Sequence, residues 1–204
     1  MPPFDAVVAV GSQGALTAFR TVLACLPATL PAAVIFDLHR HTHGFVEELL
    51  ARASGLPVRP AAAGLPLDPG TVYVAPCDRQ LTVSDERLIT VTESDAGAPG
   101  HRHADALLTS AARAFGPRLI AVVLSGRLDG GALGVRAAKR RGARVLVQDP
   151  STAAAPAMPS AALATGCADF ALRPESLGRA LVALCAAPGA ADLFRVRLNA
   201  GVLR

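Results

Sequence analysis

Short, continuous apolar runs alternate with amphipathic stretches along the chain, and this alternation constrains the fold more than any other feature. The runs at residues 6–10, 32–38 and 118–125 lack the alternating polar positions of a half-exposed strand. Continuous runs of this length are typical of parallel strands that are buried on both faces. Between the first two runs, apolar residues recur at helical spacing (Leu16, Phe19, Leu23 and Leu26). Strands that alternate with helices predict an α/β fold, a doubly wound and mainly parallel sheet with helices on both faces.

The middle of the chain has a different pattern. Residues 71–75, 81–83 and 88–91 are short β-type runs separated by turn residues, which predicts a small β-hairpin beside the main sheet. Further strands are expected at 143–148 and 168–172, and further helices at 44–53, 104–115, 130–141 and 175–185. We expect one domain over residues 1–204, with a core at about 6–185 and a C-terminal tail at 186–204.

Composition excludes several functional classes. Aromatic residues make up 4% of the 204 residues and Trp is absent, so few rings are available to stack on the bases of single strands. The chain does not begin with the basic segment and apolar segment of a signal peptide. The longest uncharged stretches contain prolines, which does not fit a membrane-spanning helix. We therefore expect no nucleic-acid partner, no membrane insertion and a cytoplasmic location.

Metal binding has one candidate segment. Three histidines alternate along the chain after the second apolar run, and an extended segment would place them on one side (His39, His41 and His43). The four cysteines are far apart and form no C-x-x-C pair, which favours reduced thiols packed as small hydrophobic residues. Alternating residues of one strand rarely enclose an ion, so we expect no metal and no cofactor. Two alternatives stay open for this segment: a metal site formed by the histidines, and a polar surface loop without a chemical role.

Three unusual loops follow predicted strands, at residues 11–14, 39–43 and 126–131. Parallel sheets bind ligands at the carboxyl ends of their strands, so these loops are expected to converge. Ser12 begins a helix, and the free N–H groups of a helix N-terminus can stabilise a developing oxyanion. Histidine is the usual base that activates a serine hydroxyl. Asp129, in the third loop, is suited to orient such a histidine. The alternative is that Ser12 and Asp129 merely cap the helices that follow them.

The same loops, in this order, resemble the catalytic domain of the chemotaxis protein-glutamate methylesterases, the CheB family. The stretch Y-V-A-P-C-D at 73–78 is similar to the family's Y-I-A-P-G-D, and L-S-G at 124–126 is similar to its L-T-G or L-S-G. A-M-P-S-A-A-L at 157–163 resembles its G-M-P-x-x-A stretch. The similarity runs from about residue 6 to residue 184.

This resemblance implies a serine hydrolase that removes methyl esters from glutamate side chains of chemoreceptors, as a protein-glutamate methylesterase, and whose related members deamidate glutamine. Ser12 corresponds to the nucleophile, His39 to the base and Asp129 to the acid. Backbone N–H groups near Gln13 and Arg127 correspond to the oxyanion donors. The implied partner is the cytoplasmic region of a methylated receptor.

Two departures from the family pattern concern the partners of Ser12. The histidine loop is one residue longer than usual, so His41 is an alternative base. The family's acid directly precedes a Gly-Ala pair, where this chain has Gly130, and Asp129 lies one residue earlier. A shift of one residue displaces a carboxylate by about 3.3–3.8 Å.

Alternative functions follow from these departures. The chain begins at the first catalytic strand, so we expect no receiver domain, and either constitutive activity or control by a separate regulatory protein. A degenerate, non-catalytic binding module and a small-molecule esterase on the same scaffold are the competing hypotheses.

Overall fold

A computed structural model of the protein describes residues 4–38, 44–93 and 101–186, without the side chains of residues 101 and 102. Within these ranges the strands are β1 (Ala6–Gly11), β2 (Ala33–Leu38), β3 (Val58–Pro60), β4 (Val72–Val74), β5 (Arg79–Val83), β6 (Ile89–Glu93), β7 (Leu119–Val123), β8 (Arg144–Gln148) and β9 (Phe170–Leu172). The α-helices are α1 (Ala15–Leu23), α2 (Val46–Ala51), α3 (His101–Phe115), α4 (Ala132–Arg140), α5 (Ala157–Ala164) and α6 (Pro174–Ala186).

Seven of these strands form one parallel sheet in the order β3-β4-β2-β1-β7-β8-β9, and β5 and β6 pair as a separate antiparallel hairpin. From β1 the chain builds outward through β2 and β4 on one side, and then returns to build outward from β7 on the other. The switch therefore lies between β1 and β7, and crevices at such points bind ligands at the strands' carboxyl ends. The expected doubly wound fold with an added hairpin is confirmed. The run at 71–75, which was expected beside the main sheet, instead forms β4 within it.

Each face of the sheet is covered by its own helices. Ala6, Val8 and Val10 of β1 face a layer that contains α3, α4, α5 and the hairpin, whereas Val7 and Ala9 face α1, α2 and α6. All five side chains are at most 1% exposed. Burial on both faces explains why the strand appears in the sequence as an uninterrupted apolar run.

Two elements were missed by the sequence analysis. β3 is a three-residue edge strand, and α5 lies in a part of the chain for which no helix was predicted. Among the described residues, no helix is both long and apolar enough to cross a membrane.

A buried ion pair links α4 to the residue that precedes β9. Asp169 accepts hydrogen bonds from Lys139 and from the backbone N–H of Val145, the latter at 2.8 Å. The side chains of Lys139 and Asp169 are 8% and 0% exposed. Removal of one partner of such a pair leaves an uncompensated buried charge, which is more costly than the pair itself.

We predict that Asp169→Asn lowers the free energy of unfolding by about 3 kcal/mol, because the Lys139 ammonium loses its counter-charge inside the protein. The matched control is Asp85→Asn, which breaks the exposed pair between Asp85 and Arg113 and should cost less than about 1 kcal/mol. Urea unfolding of both variants measures the difference. Equal losses in the two variants would contradict the structural role given to Asp169.

Candidate active site

Ser12 lies at the carboxyl end of β1, beside the switch point of the sheet. Its N–H donates to the carbonyl of Ser125 at 3.0 Å, and its own carbonyl accepts from Ala15 N–H at 3.1 Å. The turn is completed by Gly14, whose φ of 83° is in the left-handed region that glycine adopts without a steric penalty. The Ser12 backbone is thus held between β7 and the first turn of α1.

The side chain of Ser12 does not cap the following helix. The N-cap of α1 is Gly14, and no side chain accepts a hydrogen bond there. The capping alternative for Ser12 is therefore wrong. Its half-buried Oγ instead accepts a hydrogen bond from Arg127 N–H at 3.1 Å and lies 3.8 Å from the sulfur of Met158, a weak acceptor.

This arrangement requires two glycines. A Cβ atom at Gly126 would lie 2.0 Å from the Met158 sulfur and 2.8 Å from Ser12 Oγ. A Cβ atom at Gly11 would lie 2.4 Å from the Cβ of Ala15. Glycine at these positions allows the β7 loop and the start of α1 to approach Ser12 closely enough for the Arg127 N–H to reach its oxygen.

A second layer of hydrogen bonds holds the loops that meet at Ser12. Ser125 is fully buried, and its Oγ donates to the carbonyl of Gln13 at 2.7 Å and accepts from Ala155 N–H at 2.9 Å. The side chain of Gln148 accepts from Ser125 N–H at 2.9 Å and donates to the carbonyl of Thr152 at 3.1 Å. The sequence analysis missed the positioning roles of Ser125 and Gln148, because the partners of Ser125 come from distant parts of the chain.

Of the two backbone donors predicted for an oxyanion, one is hydrogen-bonded to Ser12 and the other belongs to the next residue in the chain. Arg127 N–H is directed at Ser12 Oγ, and Gln13 N–H has no acceptor among the described residues. The side chains of Arg127 and Gln13 are both exposed, so their chemical nature has little influence on the position of these N–H groups. Two N–H groups that flank a hydroxyl can stabilise an oxyanion that forms on an attached carbon.

The predicted acid, Asp129, has an exposed side chain, which makes no hydrogen bond or ion pair within the described ranges. Its carbonyl accepts from Ala132 N–H at 3.2 Å, but the N-cap of α4 is Gly131 and no side chain caps that helix. The capping alternative for Asp129 is therefore wrong as well. Gly130, at the position that the resemblance gives to the acid, is buried.

The candidate bases His39 and His41 lie outside the described residues, as does His43. Leu38, the last described residue before them, is in register with Gly11, the residue before Ser12. β2 therefore ends beside the residue that precedes the serine. Elsewhere in the described ranges, no group of three His, Cys, Asp or Glu side chains is placed to hold a metal ion.

Asp37 is a further residue near the end of β1 that was not singled out in the sequence. It is the fifth residue of β2, only 5% exposed, and in register with Val10. Burial raises the pKa of its carboxyl from an ordinary value of 3.8 to about 7, because the charged form loses its hydration. The signal in the sequence was a carboxylate inside an otherwise apolar strand, A-V-I-F-D-L.

Comparison with known proteins now identifies the family. The family model described as CheB methylesterase matches residues 7–181. The chain belongs to the CheB methylesterase family. The structure superposes on the crystal structure of the Thermotoga maritima CheB methylesterase catalytic domain with a TM-score of 0.80. The two chains are 28% identical, and the match covers 89% of this chain and 98% of the other.

Curated members of the CheB family are more similar in sequence. A protein-glutamate methylesterase/protein-glutamine glutaminase from Anaeromyxobacter dehalogenans is 41% identical over 86% of this chain and 52% of its own length. A protein of the same name from Moorella thermoacetica is 37% identical over 90% of this chain and 45% of its own length. The protein-glutamate methylesterase FrzG of Myxococcus xanthus is 34% identical over 89% of this chain and 55% of its own length. The chain spans about half the length of the curated relatives it matches.

We predict that Gly126→Ala slows the reaction of Ser12 with a fluorophosphonate probe by about 100-fold, because a misplacement of about 1 Å has effects of this size on attack. Crowding against Met158 should also lower the free energy of unfolding by about 1–3 kcal/mol. Gly55→Ala is the control, since its new Cβ would have no neighbour closer than 3.7 Å. An unchanged labelling rate in Gly126→Ala would contradict the close approach described above.

We predict that Asp37→Asn gains stability relative to the wild type as the pH rises from about 4 to about 7. In this window the native Asp37 keeps its proton whereas the unfolded chain releases it, so the wild type loses stability with rising pH. Three units of pKa correspond to about 4 kcal/mol, and asparagine has no such dependence. Urea unfolding at several pH values measures this difference, and a difference that stays constant with pH would rule out the raised pKa.

Proposed function

We propose that this protein is a serine hydrolase that removes methyl esters from glutamate side chains of chemoreceptors, with deamidation of glutamine as a related activity. The observation that carries the proposal is the position of Ser12, whose Oγ is free of any capping role and accepts an N–H bond from Arg127 at 3.1 Å. The names of the relatives, protein-glutamate methylesterase and protein-glutamine glutaminase, support the same substrates.

Ser12 Oγ attacks the ester carbonyl carbon while a histidine takes the hydroxyl proton. The carbonyl oxygen becomes an oxyanion, which the N–H groups of Arg127 and Gln13 stabilise. The tetrahedral intermediate then expels methoxide, which leaves as methanol with the proton from the histidine. Water hydrolyses the glutamyl-serine ester by the same route and regenerates Ser12.

The histidine is proposed to be His39, with His41 as the alternative, since one base has to lie within hydrogen-bond reach of Ser12. The proposed acid is Asp129, one residue before the position that the family resemblance gives to the acid. The role of the histidine is supported by the register of Leu38 beside Gly11, and the role of Asp129 by the sequence alone. No metal or cofactor takes part in this mechanism.

An accessible site suits a protein substrate. Ser12 is half-buried, while Gln13, Arg127 and Leu128 are exposed around it. Leu128 is 63% exposed and has a φ of 62°, an uncommon conformation that presents an apolar side chain next to the oxyanion donor. We propose that the cytoplasmic region of a methylated receptor binds here and that the protein acts in the cytoplasm. We also propose that a separate protein regulates the access of the receptor to this site.

A non-catalytic binding module is the second candidate. It is favoured by Gly130, which has no carboxylate where the family's acid is expected, together with the exposed side chain of Asp129. In this case the fold would hold a receptor segment without hydrolysing it. A chain that binds methylated receptor but releases no methanol would support this candidate.

We predict that the wild type releases methanol from methylated receptor and that Ser12→Ala lowers kcat by about 10⁴-fold or more, because the nucleophile is lost. Ser151→Ala is a matched control, since Ser151 is exposed in a turn outside the Ser12 turn and the oxyanion donors. Gas chromatography of methanol measures the release. Release that persists in Ser12→Ala would exclude Ser12 as the nucleophile.

A further inference from the structure

We propose that the groove between α3 and α4 binds a carboxylate-rich segment of the protein substrate while Ser12 acts on an ester elsewhere in the same substrate chain. The inference rests on the proposed function, because it takes the substrate to be a protein that carries glutamate side chains. This basic groove is lined mainly by Thr109 and Arg113 of α3, by Leu133, Ala137 and Arg140 of α4, and by Arg141 at the C-cap of α4.

The two helices present the lining residues as facing stripes. Residues three or four positions apart lie on the same face of a helix. The lining positions 106, 109, 110 and 113 of α3 follow this spacing, and so do positions 133, 137, 140 and 141 of α4 and its C-cap. The helices touch at Gly134, where a Cβ atom would lie 2.6 Å from the Cβ of Leu108. The basic groove therefore follows the contact between α3 and α4, and its volume is about 550 Å³.

The arginines gather at one end of the basic groove. Arg113 lies in the last turn of α3, Arg140 lies in the last turn of α4, and Arg141 is the C-cap of α4. The rise of an α-helix puts Arg141 about 12 Å along α4 from Leu133. The groove thus has an apolar side chain towards the start of α4 and a cluster of cations at the other end.

Two of these cations have no counter-charge within the part of the chain that the structure describes. The sequence R-A-A-K-R-R-G-A-R at 136–144 is the densest basic stretch of the protein. Its Lys139 and Arg144 are largely buried and face Asp169. Arg140 and Arg141 are exposed and form no ion pair with a described residue. Their charge is therefore available to an anionic partner.

The two remaining charged groups of the basic groove are already engaged. Arg113 forms an ion pair with Asp85 at 2.5 Å, but the two side chains are 56% and 65% exposed. Such exposed pairs contribute little stability, so Arg113 can exchange its partner at low cost. Asp105 lines the groove near the start of α4, where it accepts a hydrogen bond from Gly134 N–H at 2.7 Å. The arginine end consequently carries the surplus positive charge.

An open groove of this kind suits a segment of a protein chain. Pockets for small molecules enclose most of the ligand, whereas Thr109 and Arg140 are exposed here and Leu133 is 69% exposed. The described lining holds no aromatic ring on which nucleic-acid bases could stack. A second copy of this chain, with its net charge of +4, is electrostatically disfavoured. An acidic segment with an apolar residue matches both ends of the groove.

The proposed substrate supplies such segments. Hydrolysis of a glutamyl methyl ester or of a glutamine leaves a carboxylate on the substrate, so the substrate becomes more anionic as the reaction proceeds. The groove also adjoins the site, since a Cβ atom at Gly131 would lie 3.6 Å from Cγ2 of Val10, two residues before Ser12. A chain bound at Ser12 can therefore continue along α4 to the arginines.

The test compares two double variants that lose the same charge. Arg140→Gln/Arg141→Gln alters the basic groove. Arg20→Gln/Arg52→Gln is the matched control, because these exposed arginines lie in the last turn of α1 and at the C-cap of α2, on the other face of the sheet. Both variants lose the favourable interaction of cations with a helix C-terminus, so the comparison isolates the groove.

We expect Arg140→Gln/Arg141→Gln to raise KM for methanol release from methylated receptor by about threefold to tenfold. Its kcat should be unchanged, because contacts remote from the reacting atoms bind ground state and transition state equally. The control should change neither. The rise in KM should shrink at about 0.5 M salt, where such charges are screened. Arg140→Lys/Arg141→Lys keeps the charge and should retain the KM of the wild type within about twofold.

A binding measurement separates the groove from catalysis. In the Ser12→Ala background, which prevents turnover, fluorescence anisotropy follows a labelled glutamate-rich peptide of about ten residues, longer than the groove when extended. The peptide should bind more tightly than its glutamine counterpart, and this preference should be lost with Arg140→Gln/Arg141→Gln and kept with Arg20→Gln/Arg52→Gln. Tighter binding of a single-stranded oligonucleotide than of the glutamate peptide, or a dimer of the wild type that Arg140→Gln/Arg141→Gln dissociates, would overturn the proposal.

The outcomes distinguish the two proposals. A wild type that releases methanol with the same KM as Arg140→Gln/Arg141→Gln overturns the role of the basic groove and leaves the proposed hydrolase intact. A folded wild type that releases no methanol overturns the proposed function, and with it the assignment of the groove to a substrate.

Discussion

The candidate site depends on how closely the backbone at Gly126 approaches Ser12. A single methyl group at that position would overlap the sulfur of Met158 and press on the serine oxygen. Because it is absent, the loop after β7 crosses the end of β1 and presents the Arg127 N–H to Ser12 Oγ. The parallel pairing of β1 with β7 brings the loop to this point, and the buried side chain of Ser125 then joins it to the turn after Ser12.

Two buried aspartates, Asp37 in β2 and Asp169 just before β9, differ in how their charge is compensated. Asp169 is paired with Lys139 and bonded to a backbone N–H, so its charge is compensated within the fold. Asp37 is equally enclosed but has no compensating group in the described ranges, and its pKa is raised as a result. Carboxyl groups with a strongly raised pKa are enriched at functional sites.

Much of the fold could be predicted from the sequence because the strands are buried on both faces. The runs at β1 and β7 have no polar interruption, and their neighbours in chain order are helices of clear amphipathic spacing. α5 could not be predicted in this way, because A-M-P-S-A-A-L-A contains no charged residue and shows no contrast between two faces. β3, V-R-P, is an edge strand of three residues, too short to show periodicity.

The candidate site was only partly predictable. The position of Ser12 at a strand-to-helix turn followed from the local sequence, but its capping role could be excluded only when Gly14 was found at the N-cap. The positioning roles of Ser125 and Gln148 had no local signal, because hydrogen bonds between residues more than twenty positions apart leave none. Asp37 had a signal, a charge within an apolar strand, whose meaning depends on the register that places it beside Val10.

The central claim is that Ser12 is an activated nucleophile, and covalent labelling tests it most directly. The folded wild type is treated with a fluorophosphonate, and the adduct is located by intact mass and peptide mapping. The account predicts one adduct per chain, on Ser12, that is lost on unfolding the protein before treatment. No adduct on the folded protein, or an adduct on another serine that leaves Ser12 unmodified, would contradict it.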